Sequence, residues 1–264
     1  MQDNYNLSET NPNQGYGGTN PYFIHSENNN PRERKTDIEQ GGFTNREDVH
    51  KLMRLGFIKK VYGILSIQLA ITISFMALGF ADGMKTFLQD NVNPLFWIAL
   101  GLSLAILIPL ACCKNVARKV PTNYILLFSW TLCESYMLAT AVTFYDPHVV
   151  MLAGFLTFAV TAALTLYACT TKTDFTFCGG FLFCCVTILF FWSLFSLIFG
   201  FYANTLYCCL GVIVYSIYLI YDTQMVMGKF GNEFEIDDYV FAALTIYLDI
   251  INLFIYILRI LGKK

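Results

Sequence analysis

Three carboxylic side chains sit inside long apolar runs of this 264-residue chain: Glu134 in SWTLCESYMLA, Asp222 in IYDTQMVMG and Asp249 in YLDIINLFIYILRIL. An ionised carboxylate at the centre of a bilayer costs about 2.5–3.5 kcal/mol on insertion scales, so an acid placed there marks a pathway or a partner. At a rise of about 1.5 Å per residue, Asp249 lies roughly 15 Å into its segment and Asp222 roughly 7 Å from the end of the one before. The connection between the two segments, GKFGNEFEIDD, is short. The segments therefore run antiparallel, and the two acids can meet on one side of mid-membrane. Two carboxylates sharing a low-dielectric site cannot both ionise cheaply, and such a pair titrates as a unit. The alternative is that each is satisfied separately, Asp222 by interfacial water and Asp249 by backbone or by the neighbouring Asn252. Glu134 has no acid or base partner in the sequence. It either lines the same cavity or pairs with hydroxyls such as those of Tyr136 or Thr140.

Other chemistries lack carriers. His25 and His50 fall in a polar N-terminal region and His148 in a loop, so no intramembrane histidine serves a zinc hydrolase or a Ser/His pair. Neither a phosphate-binding Gly-rich loop nor H-E-x-x-H occurs, and the chain is expected not to be an enzyme and to need no cofactor. A formal net charge of -2 without a basic surface argues against nucleic acid as a partner. The nine cysteines include the adjacent pairs Cys112/Cys113, Cys184/Cys185 and Cys208/Cys209, with no CxxC spacing. Inside apolar runs they read as packing residues, while Cys112 and Cys113, beside Lys114, are also placed for S-acylation.

The elements that must position these residues follow from composition. With 56% hydrophobic and 14% charged residues, the chain is too apolar for a soluble domain of its length. Seven runs approach the roughly 20 residues that cross a bilayer as a helix. They are Val61–Phe80, Pro94–Cys113, Tyr124–Phe144, Val149–Cys169, Cys178–Phe201, Thr205–Met227 and Tyr239–Leu261. Short connections make them antiparallel neighbours, so the expected fold is an all-α, seven-transmembrane-helix bundle over residues 51–264. Residues 1–50, rich in Asn, Gly, Pro and charge, are expected to be a disordered tail. The chain's start lacks a basic n-region and an apolar h-region, so the first span is expected to do the targeting. Lys and Arg cluster before the first span and after the second (Lys114, Arg118, Lys119), with Lys172 after the fourth. The first, third and fifth connections hold only Lys85, which makes the N-terminus cytosolic. That placement opposes a receptor with an external N-terminus. Arg259, Lys263 and Lys264 at the far end of the last segment break the rule, leaving either a full crossing or a re-entrant hairpin.

The segments FIKKVYGILSIQLAIT (residues 57–72), ARKVPTNYILLFSWTLCESYMLA (117–139), LTLYACTTKTDFT (164–176), IYDTQMVMG (220–228) and DDYVFAALTIYLDIINLFIYILRILG (237–262) resemble the lifeguard branch of the transmembrane Bax inhibitor motif family. The resemblance covers nearly the whole membrane region. It implies a bundle whose central hydrophobic helix is ringed by the others, with a link to calcium leak from intracellular stores and to suppression of cell death. The family's di-aspartyl pH sensor falls on Asp222 and Asp249. A basic latch onto one of these acids is implied near KNVARKV, with Arg118 the first candidate and Lys114 the second. Calcium, which prefers several oxygen ligands, would meet a transient site at Asp222 and Asp249 helped by Asn252 or Thr223. Endoplasmic reticulum or Golgi membrane is the implied compartment. The rival expectation is a non-conducting scaffold that engages apoptosis regulators or other membrane channels.

Overall fold

The computed structural model describes residues 46–90, 92–199, 205–231 and 233–262. The chain divides into Met1–Asp48 and a helical unit, Val49–Lys264. The tail expected over residues 1–50 lies, up to residue 45, outside the described residues.

Among the described residues there are no strands, and the helices follow one another as α1 (Arg46–Gly79), α2 (Met84–Asp90), α3 (Val92–Cys112), α4 (Lys114–Arg118), α5 (Thr122–Val142), α6 (Pro147–Thr170), α7 (Gly179–Phe199), α8 (Thr205–Met227) and α9 (Tyr239–Leu261). Seven of them, all but the short α2 and α4, are long and apolar enough to cross a membrane. The chain is an all-α, multi-pass membrane protein. Differences from the sequence expectation fall at the ends. The first helix begins at Arg46 rather than Val61, and the separators before and after α3 contain the short helices α2 and α4.

Local chemistry sets several of these boundaries. Asp146 caps α6: its carboxylate accepts from the His148 N–H at 2.8 Å, and Pro147 occupies the first turn, where no backbone donor is needed. At the far end of α8, Gly228 takes a left-handed φ of 64°, which ends the helix and turns the chain back.

Burial shows which helix is central. Within its most apolar stretch, α9 is 67% buried inside the protein, against 11% for the span containing α7 and 17% for those of α3 and α6. The outer helices turn large apolar side chains outward: Phe158, Phe177, Phe181 and Phe183 all lie exposed. So much exposed aromatic surface suits lipid rather than water. Around α9 the core is built from Trp130, Leu127, Val61 and Leu219, with Trp130 and Tyr247 meeting edge to face at 5.5 Å between ring centroids. The last helix is also continuous. It starts at Tyr239 beside Tyr124 of α5 and ends at Gly262 against the ring of Tyr145, on the α5–α6 connection. It is thus one unbroken helix long and apolar enough to cross a membrane, not a hairpin that turns back on itself.

Candidate acid-pair site

Asp222 lies on α8 and Asp249 on α9, and both are buried, at 5% and 4% exposure. The two carboxyl groups face one another within hydrogen-bonding reach. Such a contact needs a proton between them, because two ionised carboxylates offer only acceptors. Thr245, one turn before Asp249 on α9, donates its hydroxyl to the Ala242 carbonyl at 3.2 Å and lies beside Asp222. The Oδ2 atom of Asp249 has no hydrogen-bond partner among the described residues. An acid oxygen left bare in the interior is costly.

The accessory residues behave differently. Asn252 spends its amide on its own helix, donating to the Leu248 carbonyl at 2.8 Å, rather than satisfying Asp249. Thr223 is fully buried and stands against Tyr62 of α1, turned away from the pair. Glu134 pairs neither with Tyr136 nor with Thr140. The Ser103 hydroxyl of α3 donates to its Oε1 at 2.6 Å, while Thr140 donates to the Tyr136 carbonyl.

The basic latch is the main correction to the sequence expectation. Arg118 does not reach Asp222 or Asp249. Its guanidinium grips Asp238 through two hydrogen bonds, Nε to Oδ1 at 2.7 Å and Nη2 to Oδ2 at 2.9 Å, and meets Glu235 at 2.9 Å. Lys114 stands 3.7 Å from Glu235. The hydrogen bonds to Asp238 hold the Arg118 guanidinium above its ordinary pKa, and the same arginine holds the Glu235 carboxyl below the usual carboxylate range. The physical reason is proximity: Asp238 and Glu235, at the entry of α9, stand beside Arg118 of α4, whereas the pair is buried on α8 and α9.

A second clamp on the same connection was not foreseen. Arg54 of α1 is buried at 7% exposure, binds Glu233 and donates to the Phe234 carbonyl at 2.7 Å. Gly228 makes room for it, since a Cβ there would run into Arg54 and Glu233. The aromatic surround of the acids was also missed. Tyr218 lies near both Asp222 and Asp249, and Tyr215 lies near Asp249. Their spacing from Asp222, four and seven residues, places them on its helix face, which was the available signal.

Comparison with known proteins places this geometry. The profile of the family described as inhibitor of apoptosis-promoting Bax1 (Bax1-I) matches residues 54–264. The chain belongs to the Bax inhibitor family, in its lifeguard branch. It is 33% identical to human protein lifeguard 3 over 219 residues, covering 80% of this chain and 70% of the relative. With the mouse protein lifeguard 3 the identity is 31% over 251 residues, covering 92% and 78%. The Golgi anti-apoptotic protein of Vaccinia virus (strain Lister) is 36% identical over 231 residues, covering 85% and 92%. The matched region of this Bax inhibitor family member takes in the acid pair and both clamps.

Proposed function

We propose that this protein is a pH-sensitive calcium leak of endoplasmic reticulum or Golgi membrane that restrains cell death, with its basic loops in the cytosol. The observation that carries the reading is the facing pair Asp222 and Asp249, one oxygen of which lacks a partner, at the seam of two antiparallel membrane helices. A proton shared by the pair holds α8 against α9. A change in its protonation alters the repulsion between the helices and so the seam they form. Calcium, as the permeating ion, takes the bare carboxylate oxygens as transient ligands. Purified protein in liposomes loaded with a calcium reporter tests this directly: a flux above empty liposomes is expected, and its absence overturns the leak.

A second reading rests on the family's description and on the viral relative's name, which speak of apoptosis rather than transport. In it the chain is a non-conducting scaffold that binds apoptosis regulators or other membrane channels. Deleting residues 1–45 separates the two, because a scaffold working through its tail loses protection of cells, whereas an intrinsic leak persists.

A further inference from the structure

The corner between α3 and α4 carries two adjacent thiols that the acid pair does not use. Cys112, Cys113, Cys184 and Cys209 are the exposed cysteines, and all are free. Depth separates them. Cys184 lies near the middle of its span, and Cys209 near the start of α8, at the end away from the basic connections. Cys112 is the last residue of α3 and Cys113 the residue between α3 and α4, with the exposed Lys114 next and the exposed Lys119 just after α4. Lysines beside a span hold its end at the headgroup level. The span Pro94–Cys112 has 19 residues, the fewest of the seven found among the described residues. At 1.5 Å per residue it reaches about 28 Å, just under the roughly 30 Å of hydrocarbon, so Cys112 sits at the hydrocarbon's edge.

An apolar track leads from Cys112 into the bilayer. Ile98, Gly101, Ala105, Ile108 and Cys112 follow one another at helical spacing on one face of α3, and all five are exposed. Between the two isoleucines the face is shallow, because Ala105 carries one methyl group and a Cβ added at Gly101 would meet nothing within 4 Å. In a helix each Cα–Cβ bond tilts toward the N-terminus, and α3 runs toward the basic connection, so the Cys112 side chain leans back along this track. Cys113 has already left the helix, with φ −106° and ψ 90°. Its carbonyl accepts from the Val116 and Ala117 N–H groups at 2.9 and 3.1 Å, so α4 is built directly on it.

We propose that the Cys112–Cys113 step is a site of reversible S-acylation by a long-chain fatty acid, with the chain on Cys112 laid along the Ile108–Ile98 face of α3. The donor is a fatty acyl thioester of coenzyme A, delivered by a membrane acyltransferase. The cysteine sulfur attacks the acyl carbonyl carbon. A carbon–sulfur bond to the protein forms as the one to coenzyme A breaks, and the thiol proton ends on the departing coenzyme A thiol. Nothing is oxidised or reduced, and hydrolysis of the thioester restores the cysteine. The chain pins the corner on which α4 is built, and Arg118 at the end of α4 grips Asp238 and Glu235 at the head of α9. Acylation therefore fixes the depth from which that clamp acts. The assignment rests on the reading that places the basic loops in the cytosol, where acyl-coenzyme A is available, and not on the leak.

The test uses the full chain in membranes from eukaryotic cells. Free thiols are blocked with a maleimide, thioesters are cleaved with neutral hydroxylamine, and the thiols released are tagged with maleimide-linked polyethylene glycol. A hydroxylamine-dependent mass step is expected in the wild type. Cys184→Ala with Cys209→Ala should keep it, and Cys112→Ala with Cys113→Ala should lose it. Both thiols of the corner are exposed, so that variant should keep the wild-type thermal midpoint, and Cys112→Ser with Cys113→Ser should show the same loss of label. No mass step in the wild type, or a step that both corner variants retain, overturns the site. Protease access to residues 1–45 in sealed membranes, cytosolic side out, keeps the two readings apart. A tail that is cut, with no mass step, removes the acyl site alone, whereas a protected tail with no mass step removes the cytosolic placement as well.

Discussion

Two polar clusters occupy opposite faces of α9, two residues apart, and they are built on different principles. Tyr247 faces α1 and α5. Its hydroxyl meets Thr72 at 2.7 Å, Thr72 meets Ser135 at 2.9 Å, and Gln68 donates to Thr131 at 2.9 Å. Asp249 faces α8 and meets another acid. In the first cluster the hydrogen-bonding groups are hydroxyls and an amide, with the Glu134 carboxyl nearby, and the atoms left without a partner among the described residues, Oε1 of Gln68 and Nε1 of Trp130, belong to neutral groups. In the second the atom left over belongs to a carboxyl group. Neutral hydrogen bonds between membrane helices average about 0.6 kcal/mol and do not respond to pH. A coupled acid pair does respond. The Tyr247 face is thus a fixed strut and the Asp249 face a switch, mounted on one rigid helix.

Wedging the switch face open is expected to have the largest effect on stability. A Cβ at Gly211 of α8 would lie 2.6 Å from the Tyr256 ring, closer than such contacts run, so Gly211→Leu forces α8 from α9. It is expected to lose about 1–3 kcal/mol, read as a lower thermal midpoint in detergent, together with a shifted pH profile of flux. A midpoint equal to wild type would show that the seam is already loose.

The strut is expected to be milder. Tyr247→Phe removes one buried hydroxyl while Thr72 keeps Ser135 and the Gln68 carbonyl. A loss of about 0.6–1.7 kcal/mol is expected, with the pH profile unmoved. A displaced profile would mean that the two faces are not independent.

Smallest is the ion clamp at the entry of α9. Because Arg118 depresses the Glu235 pKa, the clamp's contribution is complete above the ordinary carboxylate value, about 4.3, and is lost only as pH falls through the lowered value. Acidification between pH 7.5 and 5.5, an interval on the order of two units, therefore leaves it intact. Glu235→Gln is expected to keep the wild-type pH profile across that range, and a flattened profile would move the sensor from the membrane to the loop.

Particular residues show how much of this was legible in the sequence. Asp222 and Asp249 could be paired beforehand because helix rise and a short connection fix their depths. Thr245 was equally readable, four residues from Asp249, but a threonine in an apolar run passes for a packing residue. The central place of α9 came from the family resemblance and not from spacing, since several spans are as apolar as this one. Partners far apart in the chain were out of reach. Ser103 finds Glu134 only because α3 packs on α5, and Arg54 finds Glu233 across 179 residues. For Arg118, the expectation favoured intramembrane acids over the nearer ones at the head of α9.

The most direct test of strut against switch is calcium flux from liposomes across a pH series, with wild type, Tyr247→Phe and the double variant Asp222→Asn with Asp249→Asn measured side by side. The wild type and Tyr247→Phe should share one pH-dependent profile, and the double variant should lose the dependence. A double variant that follows the wild-type profile would contradict the assignment of the switch to the acid pair.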